Sequence, residues 1–213
     1  SAVLACGVVL AVMANGMYQS LEQARDAYYS RYRMADMAAG VVRAPLAVAE
    51  RIADLPGVSA LEARVSGVGL LDMPGRSEPV SAQLVSLPEG RAPRVNDLVL
   101  RQGRLPAPAR DNEVLVNEAF AAANNLEPGA QLAALVYGRR REVTVTGIAS
   151  SPEFVFAVAP GALLPEPERF GVLWMNREAL GRAFDLDGAF NDLVVRLTPG
   201  ASEQLVARDI DRL

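Results

Sequence analysis

The chain has 213 residues, 51% of them hydrophobic and 22% charged, which is enough to bury a core and excludes a disordered or collagen-like chain. Twenty-one basic residues against 25 acidic ones give a net charge of −4, so there is no electrostatic footprint for nucleic acid. There is no His, and every basic residue is Arg. Without Lys there is no P-loop or kinase lysine and no Schiff base; without His there is no Ser–His or Cys–His pair. The single Cys6 supports neither an internal disulfide framework nor a cysteine-based metal site. Its setting, Leu4-Ala5-Cys6-Gly7, faintly resembles a lipoprotein cleavage site, but Leu4 is bulky, and an apolar Cys in a hydrophobic helix is the better reading.

Residues 1–21 carry no charge; the first is Glu22. As a helix they would extend about 31 Å, close to the roughly 30 Å hydrocarbon core of a bilayer. A transmembrane helix over 1–21 is therefore expected. From 22 to 40 the chain turns polar without a Pro, and its next Gly is Gly40, so the same helix is expected to continue as a stalk. Tyr28, Tyr29 and Tyr32 on this stretch suit packing against a neighbour, and Tyr18 suits a membrane surface.

Residues 41–201 form the body. Leu46–Leu55 reads as an amphipathic helix stopped by Pro56-Gly57. Leu61, Ala63 and Val65 alternate with Glu62 and Arg64 as in a half-buried strand. At Gly67 the apolar phase flips to Val68 and Leu70, which predicts a β-bulge. Pro74-Gly75 then turns into Val80–Leu87, making a long hairpin. Residues 88–110 hold four prolines and suit a crossing between subdomains.

The strand Glu113–Asn117 is followed by the helix EAFAAANN, with Asn117 placed to cap it. Residues 131–137 and 141–148 read as a hairpin around a Gly-Arg-Arg turn. Phe154–Val158 alternates like a further strand. Gly171–Met175, with the only Trp, is a buried-type strand, and Asn176 can cap the helix REALGRAF. A last strand at 189–197 leads through Pro199-Gly200 into a helix from Ser202, in phase at Leu205, Val206 and Ile210. Residues 202–213 read as the start of a returning stalk.

No catalytic, cofactor-binding or metal-binding residue is assigned. Asp185-x-Asp187-Gly188 with Asn191-Asp192 has the wrong spacing for an EF-hand, and turn chemistry explains it. Arg139-Arg140-Arg141 reads as a solvated hairpin tip. Asp111 and Glu113 could pose as an acid–base pair, but nothing converges on them. No Gly-x-Ser-x-Gly occurs.

Three stretches, 27–58, 113–158 and 169–197, resemble the periplasmic core domain of the MacB/FtsX-like ABC transporter permeases. The middle one carries the most specific match: strand, Asn117-Glu118-Ala119-Phe120 helix, Leu126-x-Pro128-Gly129-Ala130, then two strands, the second ending Thr146-Gly147-Ile148. The resemblance implies an α+β, two-lobed extracytoplasmic domain, one lobe mixed α/β and one β-rich, on a long N-terminal helix. It implies a bacterial inner-membrane protein that is no enzyme itself, working with an ABC ATPase subunit and a second permease copy. A periplasmic adaptor or a lipoprotein substrate would be further partners. Two alternatives stay open from the residues: a single-helix anchored sensor, binding or enzyme domain, and a substrate-binding lipoprotein.

Overall fold

A computed structural model describes residues 2–213 except Pro74, and leaves aside the side chains of residues 2–12 and of Ala14. The described residues form α1 (Ala2–Arg31), β1 (Met37–Pro45), α2 (Leu46–Ala53), β2 (Val58–Arg64), β3 (Ser66–Asp72), β4 (Val80–Leu87), β5 (Val99–Gly103) and β6 (Glu113–Asn117). They continue with α3 (Glu118–Ala123), β7 (Gln131–Val136), β8 (Arg139–Ser150), a 3-10 turn (Pro152–Phe154), β9 (Phe170–Asn176), α4 (Arg177–Ala183), β10 (Ala189–Leu197) and α5 (Glu203–Ile210). This is a mixed α+β fold built on two sheets.

The smaller sheet has the order β1-β10-β2 and is antiparallel throughout. One face, with Ala63, Phe190, Leu193 and Val195, buries against Ala49 and Ile52 of α2. The larger sheet runs β5-β8-β6-β9-β4-β3-β7, and β7 pairs with β8 as well as with β3. Six strands therefore close on themselves, which removes the unpaired edge an open sheet would leave. Phe120, Leu132, Leu173, Met175 and Leu180 are among the residues that fill the closed core, with α3 and α4 contributing from its rim. On the outer face Val85, Leu115, Val172 and Trp174 pack under Leu98 and Phe154.

Chain direction links the two sheets. β2 pairs with β10, whereas β3, two residues further on, pairs with β4. Val65 marks the crossing: its N–H donates to the Ser86 hydroxyl (2.8 Å) and its carbonyl accepts from the Ser86 N–H (2.8 Å). The expected long hairpin is thus only β3–β4. The expected bulge at Gly67 is absent, because β3 and β4 pair without a register shift from Ser66 to Leu71. Val65 and Leu71 face inward, and Val68 and Leu70 are the outward residues. Gly67 is there to be filled by a neighbour: any Cβ on it would overlap the Phe184 ring.

Several other sequence expectations change. The helix α1 closes at Arg31, and residues 37–40 belong to β1 instead of a stalk reaching Gly40. The 7–8 hairpin turns at Tyr137-Gly138, both at positive φ (48° and 75°) as a type I′ turn requires, so Arg139–Arg141 lie on β8 and not at its tip. Phe154–Val158 is the end of the 3-10 turn and a loop, not a strand. Among the described residues no helix is long and apolar enough to cross a membrane. The span expected over 1–21 includes Ser1 and the side chains of residues 2–12, which lie outside the described residues.

Gly147, in the Thr-Gly-Ile signature, sits where β5, β6 and β8 converge. A Cβ there would lie 2.7 Å from the Gln102 carbonyl oxygen, 2.8 Å from that of Arg104 and 2.9 Å from Leu115 Cδ2. Backbone cannot yield as a side-chain tip can. Gly147→Ala is expected to cost about 1–3 kcal/mol, read as a lower midpoint in urea with the slope unchanged.

Candidate functional site

The second face of the smaller sheet is charged, yet buried. Glu62 and Arg64 of β2 are only 5% and 7% exposed, although their alternation with apolar residues marks a face expected in water. What covers them is the Pro-rich segment 88–97. The Arg91 guanidinium donates to both Glu62 carboxylate oxygens (2.9 and 2.5 Å), and the Arg94 N–H adds a third bond (3.0 Å). Arg64 donates through Nη1 and Nη2 to Glu153 (2.6 and 2.8 Å) and through Nε to Asp192 (2.7 Å). Burial opposes the Arg64 charge, but the two carboxylates more than offset it and hold its pKa above the ordinary value. Burial also pushes the Asp192 carboxyl up, with Arg64 pulling it back.

The same segment grips the end of α1. Asn96 N–H donates to the Arg33 carbonyl (2.8 Å), and Asp97 N–H donates to that of Tyr32 (2.9 Å). Asn96 Oδ1 accepts from Ala35 N–H (2.8 Å), while its Nδ2 donates to Glu153 Oε2 (2.7 Å). The Arg33 guanidinium pairs with Asp97 and donates to the Pro93 carbonyl (3.0 Å). Asn96 holds φ at 55°, a left-handed conformation that Asn adopts more readily than most residues. A continuous path of hydrogen bonds thus runs from Arg33 and Ala35, just past α1, through Asn96 and Glu153 to Arg64, beside the crossing at Val65, and on to β10 at Asp192.

A second attachment lies one step along the chain. Asp36 N–H donates to the Val195 carbonyl (2.9 Å), and its carboxylate accepts from Leu197 N–H (2.7 Å). Because Met37 pairs with Val195, the start of β1 lies beside the end of β10, and α1 enters the smaller sheet at the end where α5 leaves it.

The residues singled out in the sequence are placed elsewhere. Asn117 and Asn176 do not cap α3 and α4 with their side chains. Asn117 Oδ1 instead accepts from Val172 N–H (2.8 Å), and Asn176 Nδ2 donates to the carbonyls of Ala107 (2.7 Å) and Arg110 (3.0 Å). Asp185 offers its carbonyl to Arg43 and Asp192 is taken by Arg64, so the acidic stretch does not converge. Among the described residues no cluster of acidic, His or Cys side chains could hold a metal. Arg140 pairs with Asp72 (2.8 Å). Asp111 pairs with Arg182 (2.6 Å) and Glu113 with Arg104 (2.7 Å), which separates that supposed acid–base pair.

Glu113 is held at a pKa of about 2, first by its two bonds from Arg104, against burial, and then by the Ala107 N–H and nearby Arg110. An unfolded Glu titrates near 4.3, so Glu113 adds stability that is complete above about pH 5 and is lost as pH falls toward 2. Since Arg104 is exposed, the contribution is set at about 1 kcal/mol. Acid unfolding of Glu113→Gln should show a correspondingly shallower loss of stability over that window.

The fold is also that of known extracytoplasmic domains. The chain superposes on the extracellular domain of the noncanonic ABC-type transporter YknZ from Gram-positive bacteria with a TM-score of 0.51 and 14% identity, covering 80% of this chain and 83% of that one. It also aligns with the periplasmic region of MacB from Actinobacillus actinomycetemcomitans (TM-score 0.47, 13% identity, 79% of this chain and 71% of that one). A domain of a putative permease protein from Porphyromonas gingivalis aligns as well (TM-score 0.43, 15% identity, 84% and 75%). No protein-family model and no curated protein matches the chain. The resemblance read from the sequence therefore holds at the level of fold.

Proposed function

We propose that this chain is the extracytoplasmic domain of an ABC transporter permease, and that it converts movement of a membrane helix into rearrangement of the body. Residues 1–21 lie in the bacterial inner membrane, 22–31 form the stalk, 41–201 the body, and α5 leads back toward the bilayer. ATP is hydrolysed by a partner ATPase, and a second permease copy completes the transporter. The transported substrate is a hydrophobic or lipidated molecule, released or exported with or without a periplasmic adaptor. The chain itself performs no chemistry.

The observation that carries this reading is the attachment of α1 and α5 at one end of the smaller sheet, with Asp36 bonded to both Val195 and Leu197. A domain set between two consecutive membrane helices needs that arrangement, and the shared fold with the extracellular domain of YknZ supports it. The Arg33 guanidinium, held by Asp97 and the Pro93 carbonyl, and the link from Asn96 through Glu153 to Arg64 supply the coupling. In the intact permease with its ATPase, Arg33→Ala is expected to abolish transport while ATP hydrolysis continues. Unchanged transport, or equal loss of both activities, would contradict the coupling.

A further inference from the structure

Beside the end of α1 lies a cleft of about 810 Å³, within the roughly 300–1,000 Å³ typical of small-molecule sites. Its walls include Leu87, Leu98, Leu100, Leu105, Pro93 and Pro106. These side chains carry no polar atoms, so their contact with water is unfavourable and a hydrocarbon ligand would relieve it. Leu100 and Leu105 are 39% and 48% exposed, which leaves that wall open to a ligand.

The polar groups of the cleft are unevenly satisfied. Asp97 is neutralised by Arg33, and Arg91 by Glu62 outside the cleft. The Asn176 amide donates to the Ala107 and Arg110 carbonyls. Arg31 has no acidic partner among the described residues; its guanidinium rests 5.9 Å from the centre of the Tyr32 ring. The cleft thus combines an apolar wall with a lining arginine, Arg31, that has no acidic partner among the described residues.

We infer that this cleft binds a single-chain anionic amphiphile, its hydrocarbon tail along Leu98, Leu100 and Leu105 and its carboxylate or phosphate head against Arg31. The head selects for sign of charge, since a quaternary ammonium would meet the same arginine with repulsion. The tail selects for length: each buried methylene adds about 0.8 kcal/mol, so removing two should weaken binding roughly tenfold. The inference deepens the transport reading by naming a ligand class at the helix exit, but its test does not depend on transport.

The 213-residue chain would be irradiated with tetradecanoic acid carrying a terminal diazirine, below its micellar concentration, and the adducts located by mass spectrometry. Site-resolved labelling separates the cleft from general partitioning onto α1. Adducts are expected on residues 98–106, displaced by tetradecanoate, displaced about tenfold less well by dodecanoate, and unaffected by tetradecyltrimethylammonium. Leu105→Asp should remove the adducts, and Arg31→Glu should abolish the preference for the anionic competitor. A lysophosphatidic acid competitor that matches tetradecanoate would make the head site a general anion site, as inferred. Adducts confined to residues 2–21, equal competition by the cation, or full labelling of both variants would overturn the inference. If labelling fails while Arg33→Ala still uncouples transport, the cleft is lost and the permease reading stands.

Discussion

Arg64→Ala is expected to destabilise the fold by about 3–5 kcal/mol, the range for removing one partner of a buried charge cluster. Glu153 and Asp192, beside β2 and β10, would lose the guanidinium that bonds both of them. For a chain of this size that corresponds to a drop in Tm of about 10 °C. The triple replacement Arg64→Met, Glu153→Gln, Asp192→Asn should recover most of the loss, because buried ion pairs contribute little once the charges leave together. Arg91→Ala, whose side chain is 42% exposed, should cost less, since Glu62 keeps the Arg94 N–H. Thermal unfolding of the three variants beside the parent tests the ranking; an Arg64→Ala protein within about 1 kcal/mol of the parent would mean the cluster is not a structural unit.

Asn96→Ala is expected to release the end of α1 from the body. It leaves the Ala35 N–H and the Glu153 carboxylate each short of a partner, and places Ala at φ 55°. Together these cost roughly 2–4 kcal/mol, felt locally because the bonds lost lie between residues 33–35, the 88–97 segment and Glu153 and not within the closed sheet. Hydrogen exchange should read this as faster exchange, about a hundredfold or more, at Ala35, Asn96 and Asp97, with the amides of β6 and β9 unchanged. Asn96→Gly keeps the backbone conformation accessible and should recover about 1 kcal/mol of the loss. Uniform acceleration across β6 and β9 would instead assign Asn96 to global stability.

Local pattern made some of this legible. Period-two alternation located β2 and β8, and Gly and Pro punctuation bounded α2 and the 7–8 hairpin. Closure of the larger sheet was not legible, because β7, beyond its hairpin with β8, pairs with β3 through contacts some 60 residues apart. The candidate site was hidden for the same reason. Glu62 and Arg64 carry the signature of a solvated strand face, and only the folded position of residues 91–97 and Glu153 makes that face an interior. Asn117 and Asn176 misled for a related cause: an Asn before a helix suits a cap, but both amides are recruited by backbone groups from remote segments. One signal could have been used. Asn96-Asp97 in a Pro-rich stretch offers the side chains that most readily support a left-handed turn and bond to neighbouring backbone.

The most direct test of the proposed role asks on which side of the membrane the body lies. Leu163 is 97% exposed, so a single cysteine there, in a Cys6→Ser background, would report its compartment without disturbing the core. In intact spheroplasts of a bacterium producing the full permease, a membrane-impermeant maleimide is expected to label that cysteine fully before lysis. Labelling only after the membrane is opened would place the body in the cytoplasm and contradict the extracytoplasmic permease reading.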